Sequence, residues 1–297
     1  MAGSSLMRIS TAERWIPVTA FPDAGAEVLT NSDQAETLAF LSQRGINAAF
    51  FAGIVHDNGL ESVLNRGFFC GYRNPLGQLE GVGLVGHSTL LEAETDQALE
   101  ALAIAARQCK SIHMIMCEES RLATFWRHYA EPGQKMRRAS RQLLLESRWP
   151  VGASKDVSKL RPATNADLDL IIPVHAELAL AESGTDPRAE DAAGFAERCA
   201  RRVQQGRTWV LTEGDQLIFK AEVASTSPET TYLEGVWVKP ERRGVGYGQS
   251  CMSQLARRLM WRAKSVCLFV NDDSDEARRF YRQAGYHLRT VYDTIFL

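Results

Sequence analysis

The chain has 297 residues, 45% of them apolar and 24% charged, with a formal net charge of −2. This is the balance of a soluble globular protein with room for two domains of about 150 residues each, and it leaves no broad basic footprint for nucleic acid. No stretch approaches about 18 uncharged apolar residues, which excludes a membrane span. Met1 to Ser10 lacks a signal-peptide core, so the cytoplasm is the expected location.

In chain order, residues 1–18 read as a loose lead-in. Ala35 to Gln43 is a short helix. Asn47 to Val55 is apolar, with Gly53 blurring its identity. Gly67 to Arg73 and Gly81 to Leu91 read as paired strands across the turn Asn74-Pro75-Leu76-Gly77-Gln78. Thr95 to Gln108 is an alanine-rich helix with Thr95 or Asp96 as N-cap. Ile112 to Cys117 is a strand, Arg121 to Tyr129 a helix, and Arg141 to Glu146 a closing strand. Trp149 to Lys159, with Pro150, Gly152 and Ser154, marks a domain boundary.

Beyond it, Leu160 to Pro162 starts a strand. Asp167 to Ala181 and Glu190 to Gln205 are helices, the first kinked or falsely started by Pro173. Thr208 to Thr212 and Gln216 to Ala224 form a hairpin, and Thr231 to Val238 is the next strand. Gly246 to Trp261 is a helix, Val266 to Val270 a buried strand, and Asp275 to Ala284 a helix ended by Gly285. Tyr286 to Leu297 supplies a last strand or pair. A faint repeat links Ile112–Cys117 and the helix of Phe125 and Tyr129 with Val266–Val270 and the helix of Phe280 and Tyr281.

The six cysteines form no C-x-x-C pair and mostly sit in apolar runs, so they read as buried free thiols. The six histidines show neither His-x-x-x-His nor cysteine partners at zinc spacing, so no metal is expected.

The most informative run is Val238-Lys239-Pro240-Glu241-Arg242-Arg243-Gly244-Val245-Gly246-Tyr247-Gly248. It closes a strand and opens a helix. Its glycines have no side chains to block phosphate oxygens, N–H groups from Arg243 to Gln249 would point into the turn, and the helix adds its positive end. A dinucleotide reading fails because Gly-x-Gly-x-x-Gly is absent, and a P-loop reading fails because no Gly-Lys-Ser/Thr follows. The corresponding turn of the first half, Glu92-Ala93-Glu94-Thr95-Asp96, has no glycine and three acids, which would repel a pyrophosphate.

Arg243 to Gly248 fits Arg-x-x-Gly-x-Gly, and downstream lie Asn271, Ala277, Tyr281 and Gly285-Tyr286 in the order Asn…Ala-x-x-x-Tyr-x-x-x-Gly-aromatic. Residues 160–297 thereby resemble the GCN5-related N-acetyltransferases (GNAT). The whole chain resembles a bacterial tandem type in which a degenerate acetyltransferase-like domain precedes an intact one. The resemblance implies an α/β (α+β) fold of two tandem acyl-CoA N-acyltransferase-like domains. Each would be a mixed, mostly antiparallel sheet flanked by helices. The domains would span 1–150 and 160–297, with 151–159 as linker. The donor would be acetyl-CoA, with CoA as product.

The family places acetyl-CoA on Val236, Trp237 and Val238, on the loop Arg243, Gly244, Val245, Gly246, Tyr247, Gly248 and Gln249, and on Asn271, Ala277 and Tyr281. Tyr281 would protonate the departing thiolate. Asn271 has a turn or N-cap role as its alternative. Two-residue periodicity puts Glu234, Val236 and Val238 on one strand face and Leu233, Gly235 and Trp237 on the other. Glu234, on an otherwise apolar strand, and Glu222, on the neighbouring one, are the candidate bases, and pairing with Arg or Lys is the alternative for both. Glu222 with Glu177 and Glu182 would favour a cationic acceptor.

The expected function is acetyl transfer to a primary amine, either a small amine or an aminoacyl compound. A protein or peptide N-terminus or lysine is one alternative, and a non-catalytic acetyl-CoA sensor another. Nucleic acid and membrane are not expected partners, and the chain would be a monomer or homodimer.

Overall fold

The computed structural model describes residues 25–135, 138–184 and 186–297; the side chains of Arg138, Ala139, Glu182, Ser183 and Glu190 lie outside the described set. The first half runs β1 (Ala26–Val28), α1 (Gln34–Gln43), α2 (Ala49–Asn58), β2 (Gly67–Arg73), β3 (Leu79–Gly86), β4 (Ser88–Ala93), α3 (Asp96–Arg107), β5 (Met114–Glu118), α4 (Glu119–Tyr129) and β6 (Arg138–Ser147). The second runs β7 (Arg161–Pro162), α5 (Leu168–Ser183), α6 (Pro187–Gln204), β8 (Thr208–Glu213), β9 (Gln216–Thr226), β10 (Thr231–Val238), α7 (Tyr247–Leu259), β11 (Val266–Asn271), α8 (Asp275–Gln283) and β12 (His287–Phe296). The element order repeats in full.

All these strands join one sheet, in the order β1-β2-β3-β4-β5-β12-β6-β11-β10-β9-β8-β7. In each half four strands pair antiparallel and the fifth runs parallel to the fourth, β4 with β5 and β10 with β11. The closing strands are exchanged. β12 pairs with β5 of the first half, while β6 pairs with β11 of the second, and β6 and β12 pair with each other along their lengths. Strand β6, at the end of residues 1–150, therefore lies inside the second half's sheet.

Several glycines mark close approaches. Gly53 lies on a helix, α2, that crosses onto β9. A Cβ there would fall 2.0 Å from the Ser225 Cβ, and the Ser225 hydroxyl donates to the Ala49 carbonyl at 3.0 Å. On β3, a Cβ at Gly81 would meet Ala98 Cβ at 2.8 Å, so the bare strand face lets α3 close on the sheet. The stretch expected as one strand over Gly81 to Leu91 is two, because the chain reverses at His87 between β3 and β4. Helix α5 continues through Pro173, its sixth residue, which sits on the exposed side and leaves the Asp169 carbonyl without its intrahelical N–H partner.

The 151–159 segment is tied to α7. Backbone N–H groups of Ser154 and Lys155 donate to the Ser250 hydroxyl at 3.0 Å each, and the Ser253 hydroxyl and Arg257 donate to the Val151 carbonyl. All six cysteines are free thiols and five are buried.

Candidate active site

Strand β10 carries the feature on which the site is built. Its parallel pairing with β11 runs only from Thr231/Val266 to Leu233/Leu268, after which the two strands part. β11 continues on its other side against β6 as far as Asn271/Gln142. On the β9 side, the register jumps from Glu234↔Glu222 to Trp237↔Lys220, so Gly235 and Val236 face one residue. This is a bulge, and Gly235 adopts φ 57°, which its lack of a Cβ permits. The bulge overturns the strict two-residue periodicity. Leu233, Val236 and Val238 pack in the core under α7 and α8, while Trp237 packs under α5. Glu234 turns toward α6 and shares Trp237's face, not Val236's.

The glycine loop follows. Gly244 and Gly246 have φ 70° and 95°, and Gly246 occupies the N-cap of α7 with no side-chain cap. Among the described residues, no acceptor takes the N–H groups from Gly244 to Gln249. Arg243 departs from the expectation: its N–H is taken by the Pro240 carbonyl at 3.2 Å, and its Nε donates to the Val238 carbonyl at 3.1 Å. It braces the loop from behind. Tyr247 donates to Glu213 at 3.0 Å, and the Gln249 amide donates to the Gln283 carbonyl at 2.6 Å. A Cβ at Gly248 would fall 2.8 Å from the Phe280 ring and 2.9 Å from Val238, so this glycine lets α7 and α8 approach. A Cβ at Gly246 would lie 2.8 Å from Ser154 Oγ and 3.6 Å from Lys155 Cγ, which puts an exposed lysine of the interdomain segment beside the loop. That lysine was not legible in the sequence, where its segment reads as linker.

Across β9 and β10 lies a charged cluster. Glu222 is 1% exposed and Lys220 fully buried, with Lys220 Nζ 2.9 Å from Glu222 Oε1. His175 Nδ1 of α5 lies 3.0 Å from the same oxygen. Arg202 of α6 donates to Glu222 Oε2 at 2.7 Å and also to Glu234. Burial alone would raise the Glu222 pKa, but the hydrogen bond from His175 and the charges of Lys220 and Arg202 outweigh it and hold the carboxyl well below its usual range. A carboxylate so held, buried and with both oxygens engaged, is a poor proton acceptor. The two carboxylates do stand opposite each other, but Arg202 bridges them and no shared proton is needed. Sequence reasoning missed His175, Arg202 and Lys220. A lone histidine on an apolar helix gives no sign of a partner 47 residues away.

Tyr281 is half-buried against Phe280 and Tyr286, at ring distances of 5.0 and 5.8 Å. Burial pushes its phenol pKa up, so it stays protonated. Ala277 packs partly buried in the same core. Asn271 is exposed at the end of β11; its side-chain oxygen accepts from Gln142 at 3.3 Å and its carbonyl from the Ser274 N–H at 3.1 Å. Glu177 is exposed on α5, two positions past His175 and hence on another face of the helix. The side chain of Glu182 lies outside the described residues. The described residues contain no cluster of three or more His, Cys, Asp or Glu that could hold a metal, and no helix long and apolar enough to cross a membrane.

The first half repeats the splay without the opening. β4 and β5 pair only from Ser88/Met114 to Leu90/Met116. The gap is filled by Tyr292 of β12, whose hydroxyl is 2.9 Å from Glu92, and by Phe50 and Phe51. What remains is a cavity of about 20 Å³, room for one water. Where the loop would be, Thr95 caps α3 by accepting the Ala98 N–H at 3.2 Å. Buried Glu92 has one arginine, Arg44, and burial prevails, so its carboxyl is pushed up where Glu222 is pushed down. A broad cleft of about 1110 Å³ opens at the far end of α7, near Arg257 and Trp261. Two of the four arginines that line it, Arg148 and Arg289, are bound to buried Glu146, and its lining includes no residue of the glycine loop.

Comparison with known proteins bears on the fold and on the family of the second half. A search of curated proteins returned no match. Among solved structures, a GNAT-family acetyltransferase from Colwellia psychrerythraea superposes with TM-score 0.58 at 12% identity, covering 92% of this chain and 99% of its own. A tandem GNAT protein from the clavulanic acid biosynthesis pathway gives 0.56 at 14%, covering 91% and 97%. A GCN5-related N-acetyltransferase from Sphaerobacter thermophilus gives 0.55 at 14%, covering 91% and 94%. At these identities the likeness is one of fold. Residues 204–288 match the acetyltransferase (GNAT) domain model, so the second half of this chain carries a GNAT acetyltransferase domain, a type that transfers acyl groups from acyl-CoA.

Proposed function

We propose that the second half transfers the acetyl group of acetyl-CoA directly to a primary amine. The observation that carries this reading is the splay of β10 from β11 beside a glycine loop whose N–H groups are unclaimed by the described residues. The loop N–H groups and the α7 N-terminus would hold the pyrophosphate. Backbone groups of Val236 to Val238, left without a β11 partner, would hold the pantetheine arm and polarise the thioester carbonyl. Tyr281, protonated in its buried setting, would give its proton to the departing thiolate. Asn271, at the end of β11, and Ala277, on α8 beside Tyr281, are further acetyl-CoA contacts in this reading. The acceptor is a small amine or aminoacyl compound in this reading, with cytoplasmic location as its setting.

The test is calorimetric titration of CoA-free protein with acetyl-CoA. One site per chain is expected, because the first half's cleft is filled. Gly246→Val should raise Kd about 10²-fold, since φ 95° is forbidden to valine and the loss of two charge-assisted hydrogen bonds is worth about 3 kcal/mol. No binding by folded, ligand-free protein overturns the reading. Tyr281→Phe should lower kcat about 10²-fold with acetyl-CoA Kd unchanged, measured by thiol release.

A further inference from the structure

An amine attacks only with a free lone pair, so the acceptor ammonium must lose a proton inside the site. Two carboxylates stand at hand, and neither suits. Glu222 is 1% exposed and engaged by Lys220, Arg202 and His175. Glu234 is more exposed, but its carboxylate is already engaged by the Arg202 guanidinium.

His175 differs from both. It is 25% exposed, so solvent and ligand reach it, whereas the carboxylate that holds it is buried. Glu222 is a fixed anion and can only accept, so the 3.0 Å contact requires a proton on His175 Nδ1. With that proton on Nδ1, the neutral form of the ring has its lone pair on Nε2. Phe195 packs edge-on against the ring at 5.4 Å and limits its rotation. The helix face is also the right one. Leu178, one turn on, reaches to 4.0 Å of where a Gly235 Cβ would stand, so this side of α5 lies over the β10 bulge. Glu222, in turn, is the cross-strand partner of Glu234, the residue before the bulge.

We propose that His175 is the catalytic base, taking the acceptor's proton at Nε2, and that Glu222 is its positioning residue. This rests on the transferase reading above. His175 removes one proton from R–NH₃⁺. The freed lone pair forms the N–C bond, and the C–S bond breaks with its electron pair leaving on sulfur. The thiolate takes the Tyr281 proton, the new amide nitrogen sheds its second proton to replenish that phenol through solvent, and His175 returns its own proton to solvent. The sum is R–NH₃⁺ plus acetyl-CoA giving the amide, CoA thiol and one proton. Lys220 holds Glu222 ionised throughout, so Glu222 orients the ring and stabilises the imidazolium without taking the proton. Of the charged and titratable groups around this ring, Glu222 of β9 contacts it directly; Lys220 of β9 and Arg202 of α6 contact Glu222, Arg202 also holds Glu234 of β10, and Cys199 and Arg198 of α6 lie by the same cluster.

The full-length protein is assayed for thiol release from acetyl-CoA with spermidine, glucosamine, phenylethylamine and an alanyl peptide as acceptor probes. The pH dependence of kcat is then followed with an amine that turns over. His175→Asn keeps a side-chain N–H for Glu222 but has no group at the Nε2 position that can accept a proton; His175→Gln is the second variant. Variants are used once each binds acetyl-CoA with the wild-type Kd, which reports an intact fold. The expected result is a fall in kcat of about 10²–10⁴-fold, with loss of the acid limb of the wild-type profile. A merely structural histidine would lower the rate and leave that limb in place. Turnover with the limb retained in either variant overturns the base assignment and leaves the transferase reading standing. Wild-type protein that binds acetyl-CoA yet acetylates none of the amines overturns both.

Discussion

Cut within residues 151–159 and expressed separately, neither half should fold; co-expressed, the two should purify as one complex. Strand β6 belongs to the first fragment but fills the slot between β11 and β12, and its Leu143 and Leu145 are buried in the second half's core. Strand β12 belongs to the second fragment and places Ile295, fully buried, in the core of the first. Each such side chain is worth about 1.5–3 kcal/mol, so losing two or three removes much of a stability of about 5–15 kcal/mol. Each fragment would also expose unpaired strand edges, which invite aggregation. Gel filtration and circular dichroism of each fragment test this, and the intact chain should unfold in a single calorimetric transition. A soluble, cooperatively unfolding 151–297 fragment would sink the expectation.

The second large effect lies in the buried cluster. Glu222→Leu leaves Lys220, fully buried, without its carboxylate and Arg202 with one acid fewer. Breaking a buried pair from one side costs about 3–5 kcal/mol, which lowers Tm by roughly 10 °C for a chain of this size. Adding Lys220→Met should restore most of the loss, because two apolar side chains replace two paired charges. If the double variant is no more stable than the single one, the pair is not what holds these strands together. The pH dependence has a definite sign. The Glu222 pKa is depressed in the folded protein, so its contribution is present above the unfolded carboxylate value, about 4.3, and is lost as pH falls toward the lower folded value. Denaturant titrations from pH 7 to pH 3 should show the wild type losing stability steeply and Glu222→Leu losing less.

The elements were largely legible where local chemistry decides them. Thr95 caps α3, Gly285 ends α8 at φ 84°, and the glycine loop opens α7. The repeat, faint as sequence, is complete as element order, because packing preserves the succession of strands and helices more faithfully than it preserves side chains. What failed to show were relations between distant residues. Two-residue alternation misplaced Glu234 because one extra residue at Gly235 reverses the faces. The reversal at His87 hid inside a glycine-rich apolar run. Exchange of β6 and β12 leaves no local mark, since either closing strand satisfies the same hydrophobic pattern. Arg202 and Lys220 read as ordinary basic residues until the fold brings them to Glu222.

The exchanged strands also bear on inheritance. A gene for this architecture cannot lend its acetyltransferase half to another protein as a portable module, because the borrowed segment would arrive without β6. Nor can it shed the first half, whose β6 completes the second half's sheet and whose α2 packs on β9. Descent must carry both copies together, because each closes the other's sheet.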